Sequence, residues 1–451
     1  MSAPGLRDRD RELRRSTQAW YGTGAVATSL FNTVPGLLLL YYLTDALAVA
    51  PALAGLVVVV PKLVDLVASP YVGMLSDRTR SRWGPRHPWM LVGAVTLPLL
   101  FVLVFAGLPL RGPAAAAYVL AAFVLAAVAA AMFQVPYVAL PGEITASYHR
   151  RSVLQSWRTA FVGVAILLGG ALAPLLVDRA EDELTGYRTM AMVMATVMLV
   201  AMLGTVRGTR RVRAVIPTHN QQGVWAQVGA AARHPHFRWL LVTNVLMMTA
   251  AGAMVAGVPY VTAHVLGDGA YTSLLVVCVT LPLVATMPLW TRLSARLDKR
   301  GAAVLAAVIF SAGAFGLALI PQLGGLPWAI AMSMVVGVGY AGCTMLPYSM
   351  LGDCVAVSRA VGGHHQAGML TGVWTSTETL AQAVGAQLLA GTLAVSGYAA
   401  SEAGQEVTQS ATALHGMLLG STVLPAVVML LCLVPLRRYQ LDRATTARLS
   451  A

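Results

Sequence analysis

Residues 302–352 read AAVLAAVIFSAGAFGLALIPQLGGLPWAIAMSMVVGVGYAGCTMLPYSMLG, without one charged side chain. A helix crossing the hydrocarbon core of a bilayer needs about 20 apolar residues. The tract is too long for one crossing. PQLGGLP, at 321–327, supplies the proline and glycines of a turn that splits it into spans at 302–321 and 327–351.

Ten further segments have the same character: 19–45, 52–76, 88–110, 114–140, 153–177, 187–206, 238–265, 271–291, 366–397 and 411–436. The whole chain is 57% hydrophobic and 11% charged, against about 25% charged in ordinary soluble domains. Lipid is the solvent that tolerates such a composition, and an all-α polytopic membrane protein of twelve spans is expected. The run behind the basic N-terminal RDRDRELRR is too long for a signal-peptide core and reads as an uncleaved first span.

The net charge of +13 could suggest nucleic acid, but its placement argues otherwise. Basic residues fall in alternate loops: Arg7 to Arg15, Arg78 to Arg86, Arg150 and Arg151, Arg207 to Arg238, Arg292 to Arg300, Arg359, and Arg437 to Arg448. The opposite loops are neutral or acidic, apart from Arg111 and the mixed DRAEDE. This alternation sets orientation in a membrane. It predicts a multi-pass protein of the cell (inner or plasma) membrane with both termini cytoplasmic and no nucleic-acid partner. The four cysteines, Cys278, Cys343, Cys354 and Cys432, show no metal spacing and read as buried small hydrophobes.

The chain repeats itself. MLSDRTRSR (74–82) matches RLSARLDKR (292–300) at an offset of 218, and VPYVALPGE (135–143) matches LPYSMLGD (346–353) at 211. Duplicated, parallel six-span halves are the major facilitator architecture. The expected division is an N-terminal six-helix bundle at 1–206, a basic cytoplasmic linker at 207–237, and a C-terminal six-helix bundle with its tail at 238–451. The piece GVWAQVGAAAR within the linker suits a short surface helix or a plain connector.

An ionised group at the bilayer centre costs about 2.5–3.5 kcal/mol or more, so the few present need a reason. Lys62 and Asp65 share one face of the second span, either lining a wet cavity or joining helices as a structural pair. Arg158, early in the fifth span, either meets Asp65 or snorkels to the headgroups. Glu378, in the eleventh span, either faces Arg158 from the opposite half or is protonated against Ser376, Thr377 and Thr379 as a proton carrier. Gln134, Asn32 and Asn244 are uncharged polar groups that bond a solute or a neighbouring helix. His264 and His364–His365 read as surface residues. Asp77, Arg78, Arg80, Glu143, Arg296 and Asp353, at cytoplasmic helix ends, read as gating pairs. No nucleophile, metal or His/Asp set of a membrane enzyme is present in the sequence, so a transporter rather than an enzyme is expected.

YYLTD (41–45), KLVDLVASPYVGMLSDRTRSRWGPRHPW (62–89), VPYVALPGEIT (135–145), SWRTAF (156–161), LPYSMLGD (346–353) and the tail LRRYQLD (436–442) together resemble the glycoside–pentoside–hexuronide:cation symporters. That branch of the major facilitator superfamily includes the melibiose permeases. The resemblance covers nearly the whole chain. It implies a central site between two bundles, uptake of a small solute, and coupling to Na+ or H+ with no other cofactor.

By that resemblance Lys62 and Asp65 match the basic residue and first acid of the cation site, and Ser69 stands at the second acid. The first-span sugar-binding acid falls on Ser29, the fourth-span acid on Gln134 and the stacking tryptophan on Val138. The fifth-span arginine is Arg158. The eleventh-span lysine falls on Thr379, beside Glu378. The expected function is secondary active transport by alternating access: cation-coupled symport of a sugar, glycoside or related small solute by a monomer. The alternative on the same fold is a proton-driven transporter or exporter of an amphiphile, lysolipid or secondary metabolite, suggested by the apolar Val138 and the small Ser29.

Overall fold

The structure, a computed structural model, describes residues 15–144, 148–210, 235–362, 366–401 and 408–439. Most of the expected 207–237 linker, His364–His365, the first fourteen residues and the tail past Tyr439 lie outside the described residues. Every regular element described is helical, and no β-strand occurs among these residues. A backbone in hydrocarbon must satisfy its own polar groups, and a helix does so within one segment.

Among the described residues, nine helices are long and apolar enough to cross a membrane. Three expected spans lie on other helices. The first, 19–45, runs through Arg15–Val34 and two π-turns, Pro35–Leu39 and Tyr42–Ala46. The eighth begins on the shorter apolar helix Tyr271–Ala285, and the eleventh lies on Gln366–Val395. The helical stretch Met287–Leu317 is broken at Asp298, where φ is 63° and ψ 157°. That break falls inside RLSARLDKR, where a loop is expected. Large apolar side chains such as Leu99, Val200 and Leu281 remain more than 60% exposed, a surface suited to lipid and costly in water.

The chain forms two compact units. The first comprises residues 1–35, 63–109 and 117–219, and the second 36–62, 110–116 and 220–451. In the first unit Arg15–Val34 packs on Tyr148–Leu167 and Glu183–Thr209, and His87–Val104 packs on Glu183–Thr209. Gly93 permits a close crossing of His87–Val104 with the helix Gly112–Ile144: a Cβ on it would stand 2.8 Å from Phe133 N. Small residues at such crossings let membrane helices approach closely. Beyond the end of the Pro51–Arg78 helix, Arg86 Nη1 donates to Ser76 Oγ at 2.6 Å, Trp89 Nε1 donates to Thr79 Oγ1 at 2.8 Å, and His87 Nε2 lies 3.2 Å from Thr209 Oγ1. Within the RTRSRWGPRHPW stretch, Thr79, Arg86, His87 and Trp89 thus each find a hydrogen-bond partner.

In the second unit Pro235–Tyr260 packs on Gln366–Val395, and Met287–Leu317 on Gly325–Gly362. Its core gathers Trp290, Phe310 and Trp374 among alanines and methionines. Trp290 Nε1 donates to Val338 O at 2.8 Å and Trp328 Nε1 to Gly316 O at 2.7 Å. All four cysteines are free and buried, as their apolar surroundings predict.

Candidate functional site

In the first unit the Pro51–Arg78 helix brings Asp65 and Ser69 onto one face, one turn apart. Ser69 Oγ donates to Asp65 Oδ1 at 3.0 Å. A carboxylate and a hydroxyl oxygen therefore lie side by side, both hard donors of the kind an alkali cation takes. Both residues are partly buried. Lys62, also partly buried, precedes Asp65 by three positions on the same helix but is grouped with the second unit.

Arg158 lies on Tyr148–Leu167, where its Nε is buried with no hydrogen-bond partner among the described residues. Its guanidinium acts electrostatically on the hydroxyls of Tyr21 and Tyr137. Those two rings stack with centroids 4.8 Å apart, and Tyr137 Oη donates to Tyr21 O at 3.0 Å.

The remaining first-unit candidates are less convergent. Asn32 donates from Nδ2 to Thr28 O at 2.8 Å, a bond within its own helix. Ser29 and Gln134 are partly buried, and Val138 is 47% exposed. Arg78 is exposed at its helix end. The side chains of Asp77 and Glu143 lie outside the described residues.

In the second unit Tyr348 Oη donates to Glu378 Oε2 at 2.5 Å. The expected alternatives for Glu378 were Arg158 or its own helix neighbours. Those neighbours bond elsewhere: Thr377 Oγ1 to Val373 O at 2.8 Å and Thr379 Oγ1 to Thr375 O at 3.1 Å. Tyr348 belongs to LPYSMLGD, whose match VPYVALPGE holds Tyr137 211 positions earlier. Each half thus sets a tyrosine of its fourth span against an ionisable residue of its fifth, Arg158 in one and Glu378 in the other. The repeat offset sets Glu378 close to the position equivalent to Arg158, but it singled out neither tyrosine. Asn244 is buried, its Nδ2 without a partner among the described residues.

Asp353 pairs with Lys299, Oδ2 to Nζ at 2.6 Å, and Lys299 also bonds Ser349 O at 3.3 Å. Arg296 is exposed. The partner of the predicted gate residue Asp353 is therefore Lys299 of the same unit. It was visible in the second copy of the repeated loop, but nothing in the spacing singled it out.

One cluster escaped the sequence entirely. Asp45, 5% exposed, accepts from Tyr398 Oη at 2.6 Å and Thr44 Oγ1 at 2.5 Å, with His264 Nε2 at 3.3 Å. All of these residues belong to the second unit. His264 is thus no plain surface residue: it partners a buried carboxylate. The available signal was an acid closing the apolar run at YYLTD. Its place at the last position of the expected span 19–45 suggested no role for it. Among the described residues no group of three or more His, Cys, Asp or Glu could hold a metal ion.

Residues 20–443 match the family described as MFS/sugar transport protein. The chain belongs to that family. Among relatives of the MFS/sugar transport protein family, the Escherichia coli inner membrane symporter YicJ is 26% identical over 443 residues, covering 93% of this chain and 90% of YicJ. The Escherichia coli glucuronide carrier protein homolog is 23% identical over 440 residues, covering 96% and 94%. The Escherichia coli putative glycoside/cation symporter YagG is 32% identical over 178 residues, 39% of each chain. The match thus spans about two fifths of YagG, and 36% of the uncharacterized symporter sll1374 of Synechocystis. A solved bacterial homolog of the human lysosomal transporter Spinster superposes with a TM-score of 0.65 over 99% of this chain and 98% of its own, at 12% identity. That likeness is one of fold.

Proposed function

We propose that the chain is a secondary active transporter working by alternating access, coupling entry of a cation to symport of a sugar, glycoside or related small solute. The observation that carries this is the Ser69–Asp65 contact: two oxygen donors held together inside a span that otherwise contains few polar atoms. The names of the relatives, a glycoside/cation symporter and a glucuronide carrier homolog, support the substrate class. Asp65 and Ser69 take the coupling ion, Na+ or H+, and Lys62 on the same helix tunes the charge of the site. Arg158, with Nε unpartnered and buried, bonds solute hydroxyls or a carboxylate. Gln134, Ser29, Asn32, Asn244, Glu378 and Thr379 complete the solute-binding set. Asp77, Arg78, Glu143, Arg296 and Asp353 act at the gates. The two six-span halves, 1–206 and 238–451 with the 207–237 linker between them, rock as a monomer in the cell membrane with both termini cytoplasmic. Binding of solute and ion together stabilises the occluded state, and this coupling is reciprocal.

A second reading keeps the fold and changes the cargo: an amphiphile moved by proton exchange at Glu378. The bond from Tyr348 to Glu378 and the exposed Val138 favour it. A mouse sphingosine-1-phosphate transporter, 25% identical over 78% of this chain and 74% of its own, lies in the same direction.

The deciding experiment reconstitutes the protein in vesicles. Binding of sugars, glycosides and lysolipids is then measured with and without sodium at two pH values. Sugar or glycoside binding tightened by one cation supports symport; binding indifferent to both ions ends it, and lysolipid binding alone transfers the case to the second reading.

A further inference from the structure

Asp45 is a carboxylate buried to 5% exposure, an expensive arrangement unless donors surround it. Its bonds fix the protons around it. Tyr398 has one hydroxyl proton, and it goes to Asp45 Oδ1 at 2.6 Å. The 2.8 Å contact between His264 Nε2 and Tyr398 Oη is therefore donated by the imidazole, so Nε2 carries a hydrogen. Likewise Thr44 donates to Oδ2, and Tyr260 Oη donates to Thr44 Oγ1 at 2.7 Å. His264 keeps 20% exposure, and its Nδ1 has no hydrogen-bond partner among the described residues.

The backbone reinforces the cluster. Asp45 sits on the π-turn Tyr42–Ala46 and His264 on the π-turn Val261–Val265, 219 positions apart and close to the repeat offset of 218. π-turns widen a helix and commonly mark functional positions. Ser401 N donates to Thr44 O and Ala48 N to Ser401 O, both at 2.9 Å. Gly55, farther along, packs directly against Gln387 and Ala390. By sequence residues 36–62 belong to the first half of the repeat, yet they fold into the second unit.

We propose that Asp45, His264 and Tyr398 form a proton-binding latch that holds residues 36–62 in the second unit, with the proton as its ligand. Protonation at Nδ1 turns His264 into a charged donor, and charge-assisted bonds are roughly twice as strong as neutral ones. The latch tightens as pH falls through the histidine range and loosens as it rises. Protonation of Asp45 would act in the opposite direction by removing an acceptor. The other titratable groups facing the cluster are Tyr41, whose ring lies 6.4 Å from His264, and Tyr260. Asp268 is turned to Ala270 N, and His415, on the packed helix Ala411–Leu418, to Ala411 O. Glu402 and Glu406 lie outside the described residues.

The test needs no transported solute, so its outcome is separate from that of the symport proposal. Gln387→Cys in the full chain places a thiol beneath Gly55, against a background of four buried native cysteines. Reconstituted protein is treated with a membrane-impermeant maleimide at about pH 5.5 and about pH 8, within the histidine range. Each rate is divided by that of the same thiol in unfolded protein at the same pH, and the chain without the added cysteine gives the background. The expected result is labelling about tenfold slower at the lower pH. That difference disappears in His264→Gln and survives in His415→Gln. A pH-independent rate, a dependence of opposite sign, or one that persists in His264→Gln overturns the proposal. Should His264→Gln fail to fold, Tyr398→Phe keeps the ring and must label faster at both pH values; an unchanged rate overturns it equally.

Discussion

Tyr348 Oη donates to Glu378 Oε2 at 2.5 Å, and Tyr137, its counterpart 211 positions earlier, stands against Arg158. Duplicated halves have kept one aromatic hydroxyl in register and changed the charge it serves. In one half the hydroxyl bonds an acid, and in the other it stands within electrostatic reach of a guanidinium.

Tyr348→Phe removes the hydrogen bond from a half-exposed tyrosine to a carboxyl group. Such bonds contribute about 0.5–1.5 kcal/mol. The variant is expected to unfold at lower temperature, while Tyr348→Phe added to Glu378→Gln costs less than the sum of the singles. A thermal double-mutant cycle in detergent checks this. Strict additivity would show that the contact contributes nothing.

Asp65 and Ser69 make a different claim. Asp65→Asn is expected to abolish the effect of the coupling cation on solute binding. Ser69→Ala is expected to weaken cation affinity about tenfold while leaving the carboxylate in place, the loss of one charge-assisted oxygen contact. Titration of solute binding against sodium and against protons measures both. Unchanged cation dependence in Asp65→Asn removes the residue from the coupling site.

Lys299 and Asp353 form a 2.6 Å pair with side chains 32% and 21% exposed. Partly solvated pairs contribute about 1 kcal/mol or less. Asp353→Asn should therefore shift unfolding only slightly. Exchanging the two residues, Lys299→Asp with Asp353→Lys, should restore whatever transport rate either single change loses. Failure of the exchange would argue that Lys299 also serves through its bond to Ser349 O.

Gly385 lies directly against Thr249 O and Ala253 N on the helix Pro235–Tyr260. Gly385→Leu must force those two helices apart, and overpacking costs typically about 1–3 kcal/mol. Gly391, with open space where a Cβ would stand, is the control. Gly391→Ala should leave the unfolding temperature in detergent nearly unchanged, whereas Gly385→Leu should lower it by several degrees.

Hydropathy was enough to predict helices and their order, and the motifs from YYLTD to LRRYQLD pointed to the family, because lipid leaves a chain little choice: apolar runs of a given length must be helical, and each ionised residue inside them stands out. Asp65 and Glu378 were legible for that reason. Their partners were not. Tyr348 and Tyr398 look like ordinary aromatic residues in apolar runs, and Asp45 looks like a loop acid at the end of one. Which hydroxyl meets which carboxylate depends on helix rotation and on π-turns that shift register by one residue. Those are set by packing among segments hundreds of positions apart, such as His264 on Asp45 and Ser401 on Thr44. Local sequence carries the cost of burying a charge; only the folded chain decides what offsets it.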